Sequence, residues 1–139
     1  MKTRKRAFTL IELMVVILIL GVLAALIVPK VLGRSGEAKV GAAKADLSTL
    51  AGALRNFRLD NDRYPTTEEG LNALRTAPNG TNSWKGPYLE KDVPNDPWTN
   101  PYDYRFPGSS GQDSFALRSF GSDGVEGGAG DAADLIEGD

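Results

Sequence analysis

The chain has no histidine and no cysteine among its 139 residues. Their absence excludes Ser-His-Asp and Cys-His nucleophilic catalysis and the usual catalytic zinc sites. No disulfide stabilises the fold, which is permissible in an exported protein. The sequence also lacks a clear pair of catalytic carboxylates. We therefore predict that the protein is not an enzyme and has no small-molecule substrate.

Basic residues are absent from the tail, residues 121–139, which contains six glycines and six acidic residues. Apart from Lys2, Arg4, Lys5 and Arg6 the chain has 12 basic and 18 acidic residues, so no basic stripe is left to neutralise phosphates and nucleic acid is an unsuitable ligand. Left alone, the tail should be disordered, because like charges repel and glycine is costly to fix. Calcium bound by the carboxylates of Asp123, Asp131 and Asp134 and by backbone carbonyls would order it. The residues alone leave both possibilities open.

An apolar run dominates the N-terminal part and covers residues 8–28, where only Thr9 and Glu12 are clearly polar. At about 1.5 Å rise per residue, a helix of this length spans the roughly 30 Å hydrocarbon core of a bilayer. Backbone groups in lipid must pair within their own segment, so the run predicts a transmembrane helix. Pro29 is expected to end or kink it.

Four basic residues precede this run, namely Lys2, Arg4, Lys5 and Arg6. By the positive-inside rule the N-terminus stays in the cytoplasm and the rest is exported. The run is too long for a secretory signal and has no clean cleavage site after it. Cleavage between Ala7 and Phe8 would keep the helix and create a free amine at Phe8. A carboxylate within an apolar helix needs such a partner, so Glu12 is predicted to pair with an amine.

Residues 30–62 predict an amphipathic helix that continues into a globular head. Apolar residues recur at three- and four-residue steps, at Val40, Ala43, Leu47, Leu50, Leu54 and Phe57. A dimeric coiled coil is the alternative, but the stripe lasts too few heptads. The turn-forming residues at 60–62 end the helix.

The head, residues 63–139, is predicted to contain a short helix and two strands. Thr66 and Glu69 form a capping box that opens the short helix, so the acidic residues at 60–69 serve turns and caps, not catalysis. Residues 102–106 alternate and predict a strand, residues 107–111 predict a turn, and residues 115–120 predict the returning strand. A small antiparallel sheet on the helix would bury one shared core. That predicted core consists of Leu47, Leu50, Leu54, Phe57, Trp98, Phe115 and Leu117.

The segment KRAFTLIELMVVILILGVLAALIVP resembles the type IV prepilin signature, and the rest of the chain resembles the major pseudopilins of type II secretion systems. The most specific matches are Phe-Thr-Leu-Ile-Glu, LDNDRYPTTEEGLNAL, Asp-Pro-Trp at 96–98 and SFGSDGVEGG. The resemblance implies that a prepilin peptidase cuts before Phe8 and methylates the new amine. Ala7 and Thr99 depart from the family, which has glycine at both positions.

The resemblance implies a pilin-like α+β fold. Its parts would be a leader (1–7), a transmembrane and assembly helix (8–29), an amphipathic helix (30–62) and a periplasmic head (63–139) with a small antiparallel sheet and a C-terminal metal-binding loop. The family has a calcium site after the motif matched by residues 120–124. Carried over by position, its ligands are the carbonyls of Phe120 and Val125 and the carboxylates of Asp123, Asp131 and Asp134.

The implied function is structural: a single-pass inner-membrane subunit that polymerises into a periplasmic fibre and supports export of folded proteins across the outer membrane. Its partners would be its own copies, minor pseudopilins, the prepilin peptidase and the inner-membrane assembly platform. Phe8, Thr9 and Glu12 would act in assembly, although Glu12 could instead serve only recognition by the peptidase or insertion machinery. A type IV or competence pilin and a tethered calcium-binding module that never polymerises remain alternatives.

Overall fold

The computed structural model describes residues 8–138, apart from the side chains of residues 26–34. Helix α1 comes first and covers Leu10–Asn61. The elements that follow are a 3₁₀ turn at Leu71–Leu74, strands β1 (Asp103–Arg105) and β2 (Ala116–Ser119), a second 3₁₀ turn at Gly130–Ala132, and strand β3 (Leu135–Glu137). Residues from Glu37 onward form one compact unit, and the residues before it form another. Helix α1 continues past Pro29, so the loss of one N–H donor there does not end it.

The C-terminal half of α1 supplies one wall of the hydrophobic core. Five of the six residues of its predicted apolar stripe are buried, namely Ala43, Leu47, Leu50, Leu54 and Phe57, whereas Val40 is only partly buried. Side chains from the head complete this core, the largest being Tyr64, Leu71, Leu74, Tyr102, Tyr104, Phe115 and Leu117. Each large apolar side chain removed from water contributes roughly 1.5–3 kcal/mol, so the stripe fixes the helix to the head.

Trp98 lies outside this core cluster and is only partly buried, so the prediction that it buries against the helix is wrong. Trp84 packs there instead, edge-on to the Tyr88 ring with centroids 5.7 Å apart. Its indole N–H donates to the Ala73 carbonyl at 3.0 Å. The backbone N–H of Trp98 donates to the carboxylate of Asp96 at 3.0 Å. In this turn the aspartate is the buried residue, and the tryptophan is not.

The predicted capping box between Thr66 and Glu69 is confirmed. The Glu69 N–H donates to Thr66 Oγ1 at 3.2 Å, and the Thr66 N–H donates to Glu69 Oε2 at 2.8 Å. It precedes a 3₁₀ turn instead of an α-helix. Hydrogen bonds from Arg63 lower the pKa of Glu69 below its ordinary value. Since folding lowers the pKa of Glu69, the stability from its contact with Arg63 is lost as the pH falls through this lowered pKa.

The sheet is antiparallel with the order β1-β2-β3, so β2 is the central strand. Tyr104 of β1 lies opposite Leu117 of β2, and Arg118 of β2 lies opposite Ile136 of β3. The predictions of β1 and β2 are confirmed, with each strand one residue shorter at both ends than expected. Strand β3 is an element that the sequence does not predict, because pairing with β2 supplies backbone hydrogen bonds that the tail could not make alone.

Thr99 has a φ of 76°, in the left-handed region that disfavours β-branched residues. We expect Thr99→Gly to stabilise the protein by about 1 kcal/mol, because glycine removes the clash of Cβ with the backbone. Urea unfolding followed by tryptophan fluorescence measures the change. Thr99→Ala is the matched control: it keeps Cβ and should give little of this gain. Equal stability of wild type and Thr99→Gly would contradict the expectation.

Candidate functional site

The N-terminal end of α1 carries a second capping box, formed by Thr9 and Glu12. The Glu12 N–H donates to Thr9 Oγ1 at 3.3 Å, and the Thr9 N–H donates to Glu12 Oε2 at 3.4 Å. The Glu12 carboxylate therefore already has a local role in the single chain, because it accepts the Thr9 N–H while the Thr9 hydroxyl accepts the Glu12 N–H. The other predicted assembly residue, Phe8, is 82% exposed. Ala7 lies outside the described residues.

The apolar side chains of the N-terminal unit are exposed along α1. From Phe8 to Leu23, every large hydrophobic residue is more than two-fifths exposed. A continuous apolar surface of this kind marks a site of contact with protein or lipid. Over the described part of the chain, no helix combines the length and the apolar character that a membrane crossing requires. The predicted span at 8–29 extends into residues 26–34 and stays a prediction.

The tail loop, residues 121–134, closes on itself. The Ser122 N–H donates to the Asp131 carbonyl at 2.9 Å, joining the two ends of the loop. Gly121 has a φ of +63°, and a Cβ there would lie 2.7 Å from the Asp131 carbonyl oxygen. Only glycine permits this close approach, so the glycine at position 121 allows the two ends of the loop to meet.

Two of the predicted calcium ligands are oriented by short-range hydrogen bonds within the tail loop. Asp123 Oδ1 accepts from the Val125 N–H at 3.2 Å, and Asp134 Oδ2 accepts from the Gly127 N–H at 3.0 Å. The other oxygen of Asp134, Oδ1, is buried without a hydrogen-bond partner. A buried oxygen of this kind is what a cation would satisfy, so Asp134 fits the predicted role.

The described residues contain no group of three or more His, Cys, Asp or Glu side chains positioned to hold a metal ion. The carboxylates of Asp123, Asp131 and Asp134 are therefore not gathered as a trio. Asp131 contributes its carbonyl to the closure of the loop, as an acceptor for Ser122. A calcium ion in this loop would depend on backbone carbonyls as well as carboxylates, which is common for this cation.

Sequence reasoning missed a second group of residues beside the tail loop. Asp96 and Ser119 are buried polar residues, and Ser119 Oγ donates to Asp96 Oδ2 at 2.7 Å. Asn100 lies nearby and donates from Nδ2 to the Gly121 carbonyl at 3.1 Å. The available signal was the turn pattern of an aspartate before proline, whose side chain often binds the backbone of its own turn. The contact with Ser119, however, depends on the tertiary fold.

Arg118 joins the sheet to the tail loop. Its guanidinium contacts Asp103 Oδ2 at 2.9 Å and Glu126 Oε1 at 3.1 Å. The hydrogen bond to Asp103 raises the pKa of Arg118, so the side chain stays charged. Glu126 is largely exposed, so its pair with Arg118 contributes little stability.

A long N-terminal helix that packs its second half on a small antiparallel sheet defines the pilin-like class of α+β proteins. The chain belongs to the family described as type II secretion system protein G, which it matches over residues 30–138. Residues 2–28 match the prokaryotic N-terminal methylation motif.

Relatives of known name agree with this assignment. The chain is 49% identical to a type II secretion system core protein G of Pseudomonas aeruginosa, over 96% of this chain and 95% of the relative. It is 45% identical to the protein of that name from Vibrio cholerae, over 96% of this chain and 92% of the relative. A crystal structure of the major pseudopilin of enterohaemorrhagic Escherichia coli matches with a TM-score of 0.61 and 31% identity, covering 76% of this chain and 90% of that chain.

Proposed function

We propose that this protein is the major pseudopilin of a type II secretion system, a structural subunit that polymerises into a fibre supporting protein export. The observation that carries the proposal is family membership over residues 30–138, joined to a methylation motif at residues 2–28. The exposed apolar face of α1 supports it, because such a surface needs neighbouring helices or lipid to cover it. Before assembly the apolar segment anchors the subunit in the inner membrane, with the head in the periplasm.

The subunit enters the fibre after a prepilin peptidase removes residues 1–7 and methylates the amine of Phe8. Assembly then involves other copies of the chain, minor pseudopilins and an inner-membrane assembly platform. The methylation motif and the basic residues before the apolar run support this order of events. Ala7 is small enough for the peptidase to accept in place of glycine.

Fibres are expected on cells that overproduce the protein together with the secretion system and its peptidase. We expect electron microscopy to detect them in the sheared fraction, and intact-mass analysis to find subunits that begin at methylated Phe8. Cells without the peptidase provide the control and should yield only the full-length precursor. A precursor that still begins at Met1 in cells with active peptidase would contradict the processing step, and processed protein without fibres would contradict the structural function.

We propose in addition that the tail loop binds calcium. Asp123 and Asp134 would provide carboxylate oxygens, Phe120 and Val125 would provide carbonyls, and Asp131 lies at the closure of the loop. The unpaired buried oxygen of Asp134 and the close approach of residues 121 and 131 support the proposal. Calcium would supply positive charge to a loop that contains only acidic ionisable groups, and so would order it.

Calcium is expected to raise the melting temperature of the protein. At 100 times its dissociation constant, a ligand stabilises the fold by about 2.7 kcal/mol, and Asp123→Ala should lose most of this gain. Differential scanning fluorimetry with calcium and with chelator measures it. Asp113→Ala is the matched control, since the Asp113 side chain is 91% exposed and lies outside the tail loop. If wild-type protein melts at the same temperature in both conditions, the calcium proposal is wrong.

A further inference from the structure

Asp96 is a buried aspartate, 3% exposed, at the start of the Asp96 turn, which we define as residues 96–100. Its Oδ1 accepts from the N–H groups of Trp98 and Asn100 at 3.0 and 2.8 Å, and its Oδ2 accepts from the Ser119 hydroxyl at 2.7 Å. A buried carboxylate is costly unless its oxygens are paired. These bonds therefore hold the turn and Ser119 in one arrangement.

Ser119 extends this arrangement to the first peptide group of the tail loop. Its Oγ, which donates to Asp96, also accepts from the Gly121 N–H at 3.3 Å. A hydroxyl has one donor and two acceptor positions, so both bonds fit. The Gly121 N–H belongs to the same planar group as the Phe120 carbonyl. Fixing this N–H therefore fixes the direction of the Phe120 carbonyl.

Asn100 holds the next peptide group. Its Nδ2 donates to the Gly121 carbonyl at 3.1 Å, while the N–H of that same peptide group, from Ser122, donates to the Asp131 carbonyl at 2.9 Å. The Asn100 amide also lies close to Gly124, where an added Cβ would be 3.3 Å away. The start of the tail loop is thus held between the Asp96 turn on one side and Asp131 on the other.

We infer that Asp96, Ser119 and Asn100 are positioning residues for the calcium site of the tail loop. The inference rests on the calcium proposal above. Ser119 and Asn100 touch backbone groups that carry or adjoin the predicted ligands, and Asp96 binds the Ser119 hydroxyl and the Asn100 backbone N–H. All of these bonds lie within the protein. The loop is therefore partly ordered before the ion arrives, and binding needs less reorganisation.

The test compares calcium affinity in variants of the full chain in detergent. Asn100→Ala removes the bond to the Gly121 carbonyl, and Ser119→Ala removes the bond to the Gly121 N–H. Loss of a group that orients metal ligands raises the dissociation constant about 10- to 100-fold, and we expect this by isothermal titration calorimetry with calcium alone. Asn95→Ala, an exposed asparagine beside Asp96, is the matched control and should keep wild-type affinity.

A second measurement separates positioning from general stabilisation. A purely structural role lowers the melting temperature equally in calcium and in chelator, whereas a positioning role shrinks the rise that calcium gives. Wild-type calcium affinity in both Asn100→Ala and Ser119→Ala would overturn the inference. So would an equal loss of melting temperature in the two conditions.

Hydrogen exchange in chelator tests whether these residues order the start of the tail loop without calcium. The amides of residues 121–125 should exchange faster in Asn100→Ala than in wild type, while the amides of β1 and β2 stay unchanged. If wild-type protein does not respond to calcium, the calcium proposal fails, and the exchange measurement then decides the anchoring by itself. Equal exchange of residues 121–125 in Asn100→Ala and wild type would overturn the anchoring as well.

Discussion

Phe57→Ala is expected to destabilise the protein by about 3–5 kcal/mol, a large part of the stability of a small domain. The Phe57 side chain is fully buried, and its ring meets that of Tyr88 edge-on with centroids 5.6 Å apart. The Arg63 guanidinium lies 5.8 Å from the same ring. Alanine would leave a cavity between α1 and the head that the rigid helix cannot close, so the transfer and cavity costs add.

Urea unfolding of the full chain in detergent measures this loss. The chain has two tryptophans, Trp84 and Trp98, and both lie in the head, so their fluorescence reports its unfolding. Leu59→Ala is the matched control on the same helix, because Leu59 is 79% exposed and its change should stay within about 0.5 kcal/mol. If Phe57→Ala and Leu59→Ala unfold at the same urea concentration, the core assigned to α1 is wrong.

The contrast between buried Phe57 and exposed Leu59 explains why the helix could be predicted from the sequence. The positions of Leu47, Leu50, Leu54 and Phe57 repeat with the helical period, and a helix with one apolar face has to bury it. Strand β1 was predictable for a similar reason, since aromatic residues alternate with charged ones from Tyr102 to Phe106. The turn residues at 107–111 then indicated that β2 follows as the returning strand. A local sequence pattern is enough to predict an element when the residues that face the core all belong to that one helix or strand.

Strand β3 could not be predicted, because its order comes from its partner. Leu135–Glu137 is only three residues long and lies in an acidic, glycine-rich tail. Its hydrogen bonds and register exist only once β2 is beside it. The prediction that Trp98 belongs to the core failed for a related reason. Both Trp84 and Trp98 lie in proline-containing loops, and no local pattern indicates which loop packs against the core.

The assembly roles of Phe8, Thr9 and Glu12 stay predictions, and the local capping role of Glu12 was not predicted. The pattern Thr-x-x-Glu at 9–12 is the same capping signal as at 66–69, where it was recognised. At 9–12 the surrounding residues are apolar, and the prediction for Glu12 used only its charge. The proposed calcium ligands lie in a loop whose start is held by contacts from Asn100 and from Ser119, which Asp96 binds, and those contacts join distant parts of the sequence.

Glu12→Ala is expected to be cleaved and to reach the membrane normally, yet to form no fibres and support no secretion. In a fibre, the methylated amine of Phe8 on an adjacent subunit would lie against the Glu12 carboxylate, in helix packing where charges attract more strongly than in water. Removing one member of such a buried pair typically costs about 3–5 kcal/mol, because the other charge is left unpaired. A subunit contact of ordinary strength does not survive that loss.

The capping box gives this prediction a sharper control than alanine alone. Glu12→Gln keeps a side-chain oxygen that accepts the Thr9 N–H, as glutamine does in other capping boxes, but it removes the charge. Thr9→Ala removes the acceptor for the Glu12 N–H and keeps the carboxylate. If the charge is what assembly needs, Glu12→Gln fails like Glu12→Ala. Fibres from Thr9→Ala would then limit Thr9 to capping, against its predicted role in assembly.

Immunoblotting for processed subunit, together with a sheared-fibre assay, distinguishes assembly from the earlier steps. Glu12→Ala that accumulates as uncleaved precursor would assign the residue to peptidase recognition instead. Normal fibres from Glu12→Gln would reduce Glu12 to a helix cap, since the neutral amide makes the same local bonds. The predicted ion pair would then be wrong. The register between subunits would have to come from the exposed apolar side chains of α1. Apolar packing would oppose a shift by one helical turn only weakly, because the shifted helix would meet a similar surface. A fibre with one fixed subunit spacing therefore favours a charged contact over apolar packing alone.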